Sequence, residues 1–290
     1  MHKFDIVEFD RQQFAAALES VRNHSVAQER SLVNLSQSQH PDISLHLFET
    51  LPSTNEKLWE LLALGSGEGT TVIAIEQQAG RGQWGRQWHS SAGGLYLSVA
   101  LTPNVAARQA RQLTMCGAWG IATILREYDL PVSLKWPNDL ILSGRKLGGI
   151  LTETRVNRGR ISKAVVGVGI NLTNQVPENG INLVSFLANH PSPTLSLETL
   201  AAITLVGLMS GYHYWQQKGI DSVLPFYQNL LTSIGRSIEV NGRSGVVVGV
   251  SVDGDLRVCL HPTGTAPSSE ICLQPGTISL GYGEMGLGNG

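Results

Sequence analysis

The chain has 290 residues, 42% apolar and 15% charged, with a formal net charge of −2 at pH 7, enough for a full core in one large domain or one large and one small. That balance gives no reason to expect nucleic acid as a main ligand, and no apolar run approaches the ~18 residues of a membrane helix. Asp5 and Glu8 interrupt any secretory signal, and Cys116, Cys259 and Cys272 lack CxxC spacing, which points to a reducing, cytoplasmic setting.

Residues 1–43 are poorly patterned, with a short helix over Arg11–Arg22 and a polar stretch from Ser36 to Pro41; they read as an N-terminal extension. Residues 44–50 alternate as a half-buried strand does. Ser53-Thr54-Asn55-Glu56 has the spacing of a capping box ahead of Leu58, Trp59, Leu61 and Leu62, and Gly65 and Gly67 end that helix. Strands follow at Thr71–Ile75 and Leu95–Leu101, then an apolar-faced helix over Val105–Tyr128. Val132–Trp136, Leu140–Leu142, Lys146–Thr154 and Lys163–Asn171 read as an antiparallel meander, and helices follow over 196–217 and 220–231. After Thr232 the runs Ser237–Val240, Gly245–Val250, Leu256–Leu260, Ile271–Leu273 and Thr277–Leu280 alternate with turn dipeptides, as in a small all-β unit. The expected division is 1–43, 44–232 and 233–290.

One loop dominates the chemistry. Gly80-Arg81-Gly82-Gln83-Trp84-Gly85-Arg86 combines backbone freedom with two arginines. From Gln77 to Arg126 there are five arginines and no Asp, Glu or Lys, a stretch suited to receiving an anion. The loop fits the Gly-x-Gly-x-x-Gly dinucleotide fingerprint, but no helix pattern opens after Gly85 and no acidic residue occurs before Glu127 to hold a ribose. A flexible surface loop is the bland alternative, and Trp84 and Trp88 argue against it. Lys135-Trp136-Pro137-Asn138-Asp139 places a cation, an amide and a carboxylate at a strand end, with oxygens of the kind Mg²⁺ accepts beside phosphates; Asn138-Asp139 is equally good turn chemistry. Lys146 precedes Gly148-Gly149, and Gly167-Val168-Gly169-Ile170-Asn171 carries glycines inside a strand, a sign of close approach. No Gly-x-Ser-x-Gly elbow or HExxH motif is present, so the chemistry is expected to run by positioning and charge neutralisation.

These stretches, in this order and spacing over about residues 45–232, resemble biotin–protein ligases. The resemblance implies an α+β fold: a mixed, mostly antiparallel sheet flanked by helices, as in class II synthetase-like catalytic domains, with a C-terminal SH3-like β-barrel. It implies activation of biotin by ATP to biotinyl-5′-AMP, then transfer to a lysine of a biotin carboxyl carrier protein, a subunit of acetyl-CoA carboxylase. By motif match, Ser53, Thr54, Asn55 and Gln77 would bind the biotin ring, and Gly82, Gln83, Gly148 and Gly149 would line the biotin and acyl-phosphate region. Lys146 and Arg81 would be catalytic cations that also touch biotin. Arg81, Arg86, Trp88, Lys135, Asn138 and Asn171 would serve ATP, with Asn138 also facing Mg²⁺.

The chain departs from the family at Gln83, where members often carry Arg. Residues 1–43 show no helix-turn-helix pattern or basic recognition helix, so a monofunctional ligase, monomeric or homodimeric and without DNA or membrane partners, is expected. Lipoate–protein ligase, on a similar adenylating scaffold, is the alternative substrate reading.

Overall fold

The strand runs assemble into one large mixed sheet and one small antiparallel sheet in a computed structural model that describes residues 9–27, 32, 43–188, 190, 195–263, 267–278, 280 and 281. The first sheet contains β1 (Ser44–Leu51), β2 (Thr70–Gln77), β3 (Gly94–Leu101), β4 (Val105–Ala106), β5 (Ser133–Lys135), β6 (Asp139–Leu142), β7 (Arg145–Asn157) and β8 (Arg160–Asn171). Its order is β1-β2-β3-β8-β7-β6-β5, with β4 pairing to β8 off that path. Among the described strands of this sheet only β1 and β2 run parallel, and the crossover that a parallel pair needs is supplied by α2 (Thr54–Ala63).

Both faces of the sheet centre are covered, which is why every residue of β3 is buried. Leu95, Leu97, Val99 and Leu101 enter the main core under α3 (Ala110–Glu127) and α5 (Leu197–Lys218). Ala100, with Val72 and Val165, enters a smaller cluster under Leu58 and Leu62 of α2. Helices α3 and α5 cross in close contact because glycines meet there: a Cβ on Gly120 would overlap the Gly207 carbonyl, and one on Gly211 would overlap that of Cys116. Two shorter helices complete the body, α4 (Leu183–Leu187) and α6 (Ile220–Asn229), the latter continuing through Pro225.

Several local expectations shift. The N-terminal helix α1 runs Arg11–Ala27, longer than expected, and buries Phe14 and Val21 in the main core against α5. The polar stretch Ser36–Pro41 lies outside the described residues. Ser53 occupies the N-cap of α2 without a side-chain cap hydrogen bond, so the capping box is not formed. Val105 and Ala106 form β4 instead of starting the helix, because they pair with Ile161 and Arg160.

The C-terminal strands β9 (Ser237–Val240), β10 (Arg243–Val250), β11 (Leu256–Leu260) and β12 (Ser269–Leu273) form an antiparallel sheet of order β12-β11-β10-β9. The expected barrel is therefore corrected to an open four-stranded sheet among the described residues. The fifth strand expected over Thr277–Leu280 is not formed among the described residues 277, 278 and 280. There Thr277 donates its N–H and its hydroxyl to the Gln274 carbonyl (3.2 and 2.7 Å), a turn with Gly276 at φ +92°. This sheet docks on the body through Trp136 Nε1 to the Gly254 carbonyl (2.9 Å), an Arg111–Asp255 ion pair (2.6 Å) and Gln112 Nε2 to the Val252 carbonyl (2.9 Å).

The glycine crossing yields a direct test. Gly120→Ala forces α3 and α5 apart and is expected to destabilise the fold by ~1–3 kcal/mol, as overpacking does. Urea denaturation should show a lower midpoint with an unchanged slope.

Candidate active site

A cleft of about 480 Å³ opens on the sheet face that carries α2. Alternation along β8 sends Ala164, Val166, Val168 and Ile170 to the main core and turns Gly167 and Gly169 to the cleft, where they face Leu151 and Gly149 of β7. The floor is therefore mostly backbone. A Cβ on Gly167 would overlap the Asn55 carboxamide, and one on Gly169 would overlap the Trp88 indole.

At the α2 end the walls are neutral and polar. The Gln77 Oε1 accepts from the Thr54 N–H (2.8 Å) and hydroxyl (3.2 Å), while its Nε2 donates to Ser90 Oγ (2.8 Å). Ser98 Oγ lies 2.7 Å from Thr54 Oγ1 and 2.6 Å from Asn55 Oδ1, and Asn55 Nδ2 donates to Glu153 Oε2 (2.8 Å). Ser53, Thr54 and Asn55 are almost fully buried, so this lattice of hydrogen bonds presents fixed donors and acceptors.

The other end is cationic. Lys135 and Asp139 are cross-strand partners on β5 and β6, joined by a turn with a cis Trp136–Pro137 peptide. Asp139 Oδ1 also pairs with Lys146 Nζ at 2.6 Å, and that ammonium lies 5.3 Å from the centroid of the Trp88 ring. Burial pushes the Lys135 ammonium down to about 8; Asp139 opposes the shift, and Lys146, Arg236 and Arg86 add to it. Lys146, Arg236 and Arg86 thus stand near enough to Lys135 to act on its charge, four cations with Asp139 among them, an arrangement suited to a polyphosphate.

The glycine-arginine loop closes this end as a narrow hairpin. Gly82 N–H donates to the Arg86 carbonyl (2.7 Å), Trp88 N–H to that of Gly80 (2.8 Å), and Arg81 bridges to Gln87. Trp84 sits at φ 55°, ψ 39°, and its indole rests on Gly276. Arg81 pairs with Glu153 at 3.1 Å across a half-exposed surface, a weak bond that an anion can displace. Gln83 Oε1 and Trp88 Nε1 are buried on the cleft wall without a partner among the described residues, the mark of polar atoms placed for a ligand.

Most of the residues singled out by pattern line this one cleft: Ser53, Thr54, Asn55, Gln77, Arg81, Gly82, Gln83, Arg86, Trp88, Lys135, Asn138, Lys146 and Gly149. Two do not. Gly148 faces the core side, where a Cβ would overlap the Gly169 carbonyl and press on Ile170 and Leu140. Asn171 is buried with both side-chain ends engaged, its Nδ2 on the Ile181 carbonyl (3.2 Å) and its Oδ1 accepting from Asn174 (3.0 Å). Pattern reasoning missed Ser98 and Glu153, although their alternation with core residues on β3 and β7 marks the opposite face. It also missed Gly276, Thr277, Ile278, Leu280 and Gly281, which lie against the cleft with no local signal.

The lowered Lys135 sets a pH dependence for anion binding. The ammonium is charged below about 8 and lost above it. Tripolyphosphate affinity, measured by calorimetry, should weaken as pH rises from 7 to 9, and Lys135→Arg should flatten that fall.

Comparison with known proteins agrees with this geometry. Residues 47–171 match the model of the biotin/lipoate A/B protein ligase family. The bifunctional ligase/repressor BirA of Escherichia coli is 31% identical over 236 residues, covering 79% of this chain and 73% of that protein. The protein of the same name in Bacillus subtilis is 27% identical over 212 residues; the match takes in 71% of this chain and 65% of that relative's length. A solved variant of the biotin protein ligase from Aquifex aeolicus, in complex with biotin, superposes with TM-score 0.64 at 25% identity, covering 79% of this chain and 95% of that one. On that relatedness, the chain belongs to the biotin/lipoate A/B protein ligase family.

Proposed function

We propose that the chain is a biotin–protein ligase. A biotin carboxylate oxygen attacks the α-phosphorus of ATP, forming the mixed anhydride biotinyl-5′-AMP and releasing pyrophosphate. The amine of a carrier lysine then attacks the acyl carbon, an amide forms, and AMP leaves with the electron pair of the broken C–O bond. The observation that carries this reading is the pairing, on one glycine floor, of a fixed neutral hydrogen-bonding end with a four-cation end.

Each end has one task. A ureido ring needs donors and acceptors in fixed places and no charge, which Ser53, Thr54, Asn55 and Gln77 supply; Gly82, Gln83 and Gly149 leave room for the acyl chain. The reaction brings a carboxylate to a phosphate, so the barrier is largely repulsion between anions. Lys146, poised between Asp139 and the Trp88 face on the cleft wall, is the cation we assign to the meeting of carboxylate and phosphate. Arg81, Arg86 and Lys135 share the polyphosphate charge, with Trp88 beside the nucleotide.

Magnesium fits as a companion of ATP. Among the described residues no three His, Cys, Asp or Glu side chains converge, and the local oxygens are those of Asp139 and Asn138. Asn138 Nδ2 is held by the Ile150 carbonyl (2.7 Å), so its Oδ1 is the end left for the ion. When bound, Mg²⁺ supplies charge neutralisation on the phosphates.

The acceptor in this reading is a biotin carboxyl carrier protein such as the acetyl-CoA carboxylase subunit, with 44–232 as catalytic unit and 233–290 as a separate β unit. A cytoplasmic location fits the three unpaired thiols, Cys116, Cys259 and Cys272. Among the described residues no helix is long and apolar enough to cross a membrane.

Pyrophosphate release from Mg-ATP should depend on biotin, and Lys146→Ala should lower kcat on the order of 10²-fold or more, as loss of a charge-stabilising group does. Labelling of a biotin carrier domain should follow. Turnover with lipoate and none with biotin would keep the adenylating scaffold and reject the substrate. Hydrogen exchange across residues 80–91 should slow when biotin and ATP are both present, and an unchanged rate would rule out loop closure over the adenylate.

A further inference from the structure

Lys146 reaches the cleft by an irregular route. Strict alternation back from Gly149 would send Leu147 to the cleft and Lys146 to the core. Instead, the β6–β7 register slips between Leu140 and Ile141, so Leu140 faces Gly148 and Ile141 faces Lys146. The extra residue, Leu147, is fully buried in the core, and Lys146 is turned to the open face. A bulge weakens the ladder at that point, so the orientation needs a second support.

The support is a segment distant in sequence. Beyond the bulge, the backbone of Lys146 is bridged by the chain between β8 and α4. Lys146 N–H donates to the Asn179 carbonyl (2.9 Å), and Ile181 N–H donates to the Lys146 carbonyl (2.9 Å), a parallel bridge with Gly180 between them. Arg145 adds a guanidinium bond to the Glu178 carbonyl (2.9 Å). The segment is in turn keyed by one buried side chain, Asn174, which is 4% exposed. Its Oδ1 accepts from Leu172 N–H (3.1 Å) and its Nδ2 donates to Asn171 Oδ1 (3.0 Å), while Asn171 Nδ2 holds the Ile181 carbonyl (3.2 Å). Its own carbonyl accepts from Asn182 Nδ2 (2.9 Å), and Asn182 Oδ1 caps α4 through Ser185 N–H (2.8 Å). Asn174 therefore connects the end of β8, the start of α4 and the strip that clamps Lys146.

We propose that Asn174 is a positioning residue that aims Lys146 into the cleft through the Asn179–Ile181 strip. This rests on the reading of Lys146 as the cation that serves the acyl-phosphate step. An amide is the group the site requires, because it donates and accepts at once inside a dry loop; a carboxylate would accept only.

The test is a double-mutant cycle read by biotin-dependent ATP–pyrophosphate exchange. Asn174→Ala should lower kcat about tenfold with KM for biotin and ATP changed less than about twofold. In a Lys146→Gln background the same change should cost less than about twofold, because the group it aims is already gone. Asn182→Asp keeps the α4 cap acceptor and removes the donor to Asn174; with an unchanged melting temperature it should give a smaller kcat loss with the same background dependence. Losses that multiply in the Lys146→Gln background, or an unchanged kcat in both variants, would overturn the proposal. A wild-type enzyme that exchanges only with another carboxylic acid overturns the biotin reading alone, and the same cycle with that acid then decides this one.

Discussion

A sheet face without side chains is the constraint on which the rest depends. Gly149, Gly167 and Gly169 bring the backbone of two paired strands to the surface of the cleft, where any Cβ on β8 would collide with Asn55 or Trp88. Glycine weakens a strand, because it contributes no packing and loses more entropy on folding. The cost is offset on the reverse face of the same strand, where Ala164, Val166, Val168 and Ile170 bury in the main core. One strand thus serves a core on one side and a ligand surface on the other.

Charge is arranged with the same economy. Burial and then the nearby Lys146, Arg236 and Arg86 depress the Lys135 ammonium, while Asp139, paired to Lys146, opposes that shift. Without an anion in the cleft the cations repel one another and lean on that carboxylate; a polyphosphate replaces repulsion with attraction. Like charges placed this close, with Lys135 itself buried, are a local loss of stability that binding recovers, as is common at sites built for charged substrates.

The sequence made part of this legible. The glycine-arginine loop could be read because three glycines and two arginines have few other uses at that density. The glycines of β8 could be read because they interrupt a Val/Ile run. The direction of Lys146 could not, since it depends on a register slip that leaves no mark in the residues themselves. Asn171 is ambiguous for a related reason: an asparagine at a strand end suits a ligand or a turn equally, and only the fold shows its amide bonded to Ile181 and Asn174. The C-terminal unit read correctly as β but not as a closed barrel, because closure depends on pairing between the first and last strands and not on the pattern within each.

By itself, then, the sequence determined the periodicities, the anion-seeking loop and the glycine-marked strand, all of which are local and follow from side-chain size and charge. Tertiary structure alone decided which groups converge: Asp139 on Lys146, Trp88 on Gly169, Trp84 on Gly276, and Asn174 behind the strip that holds Lys146. These contacts join segments far apart in the chain, and they are fixed by sheet register and by the two covered faces of the sheet. Local chemistry sets what each residue can do, and register decides which residue is there to do it.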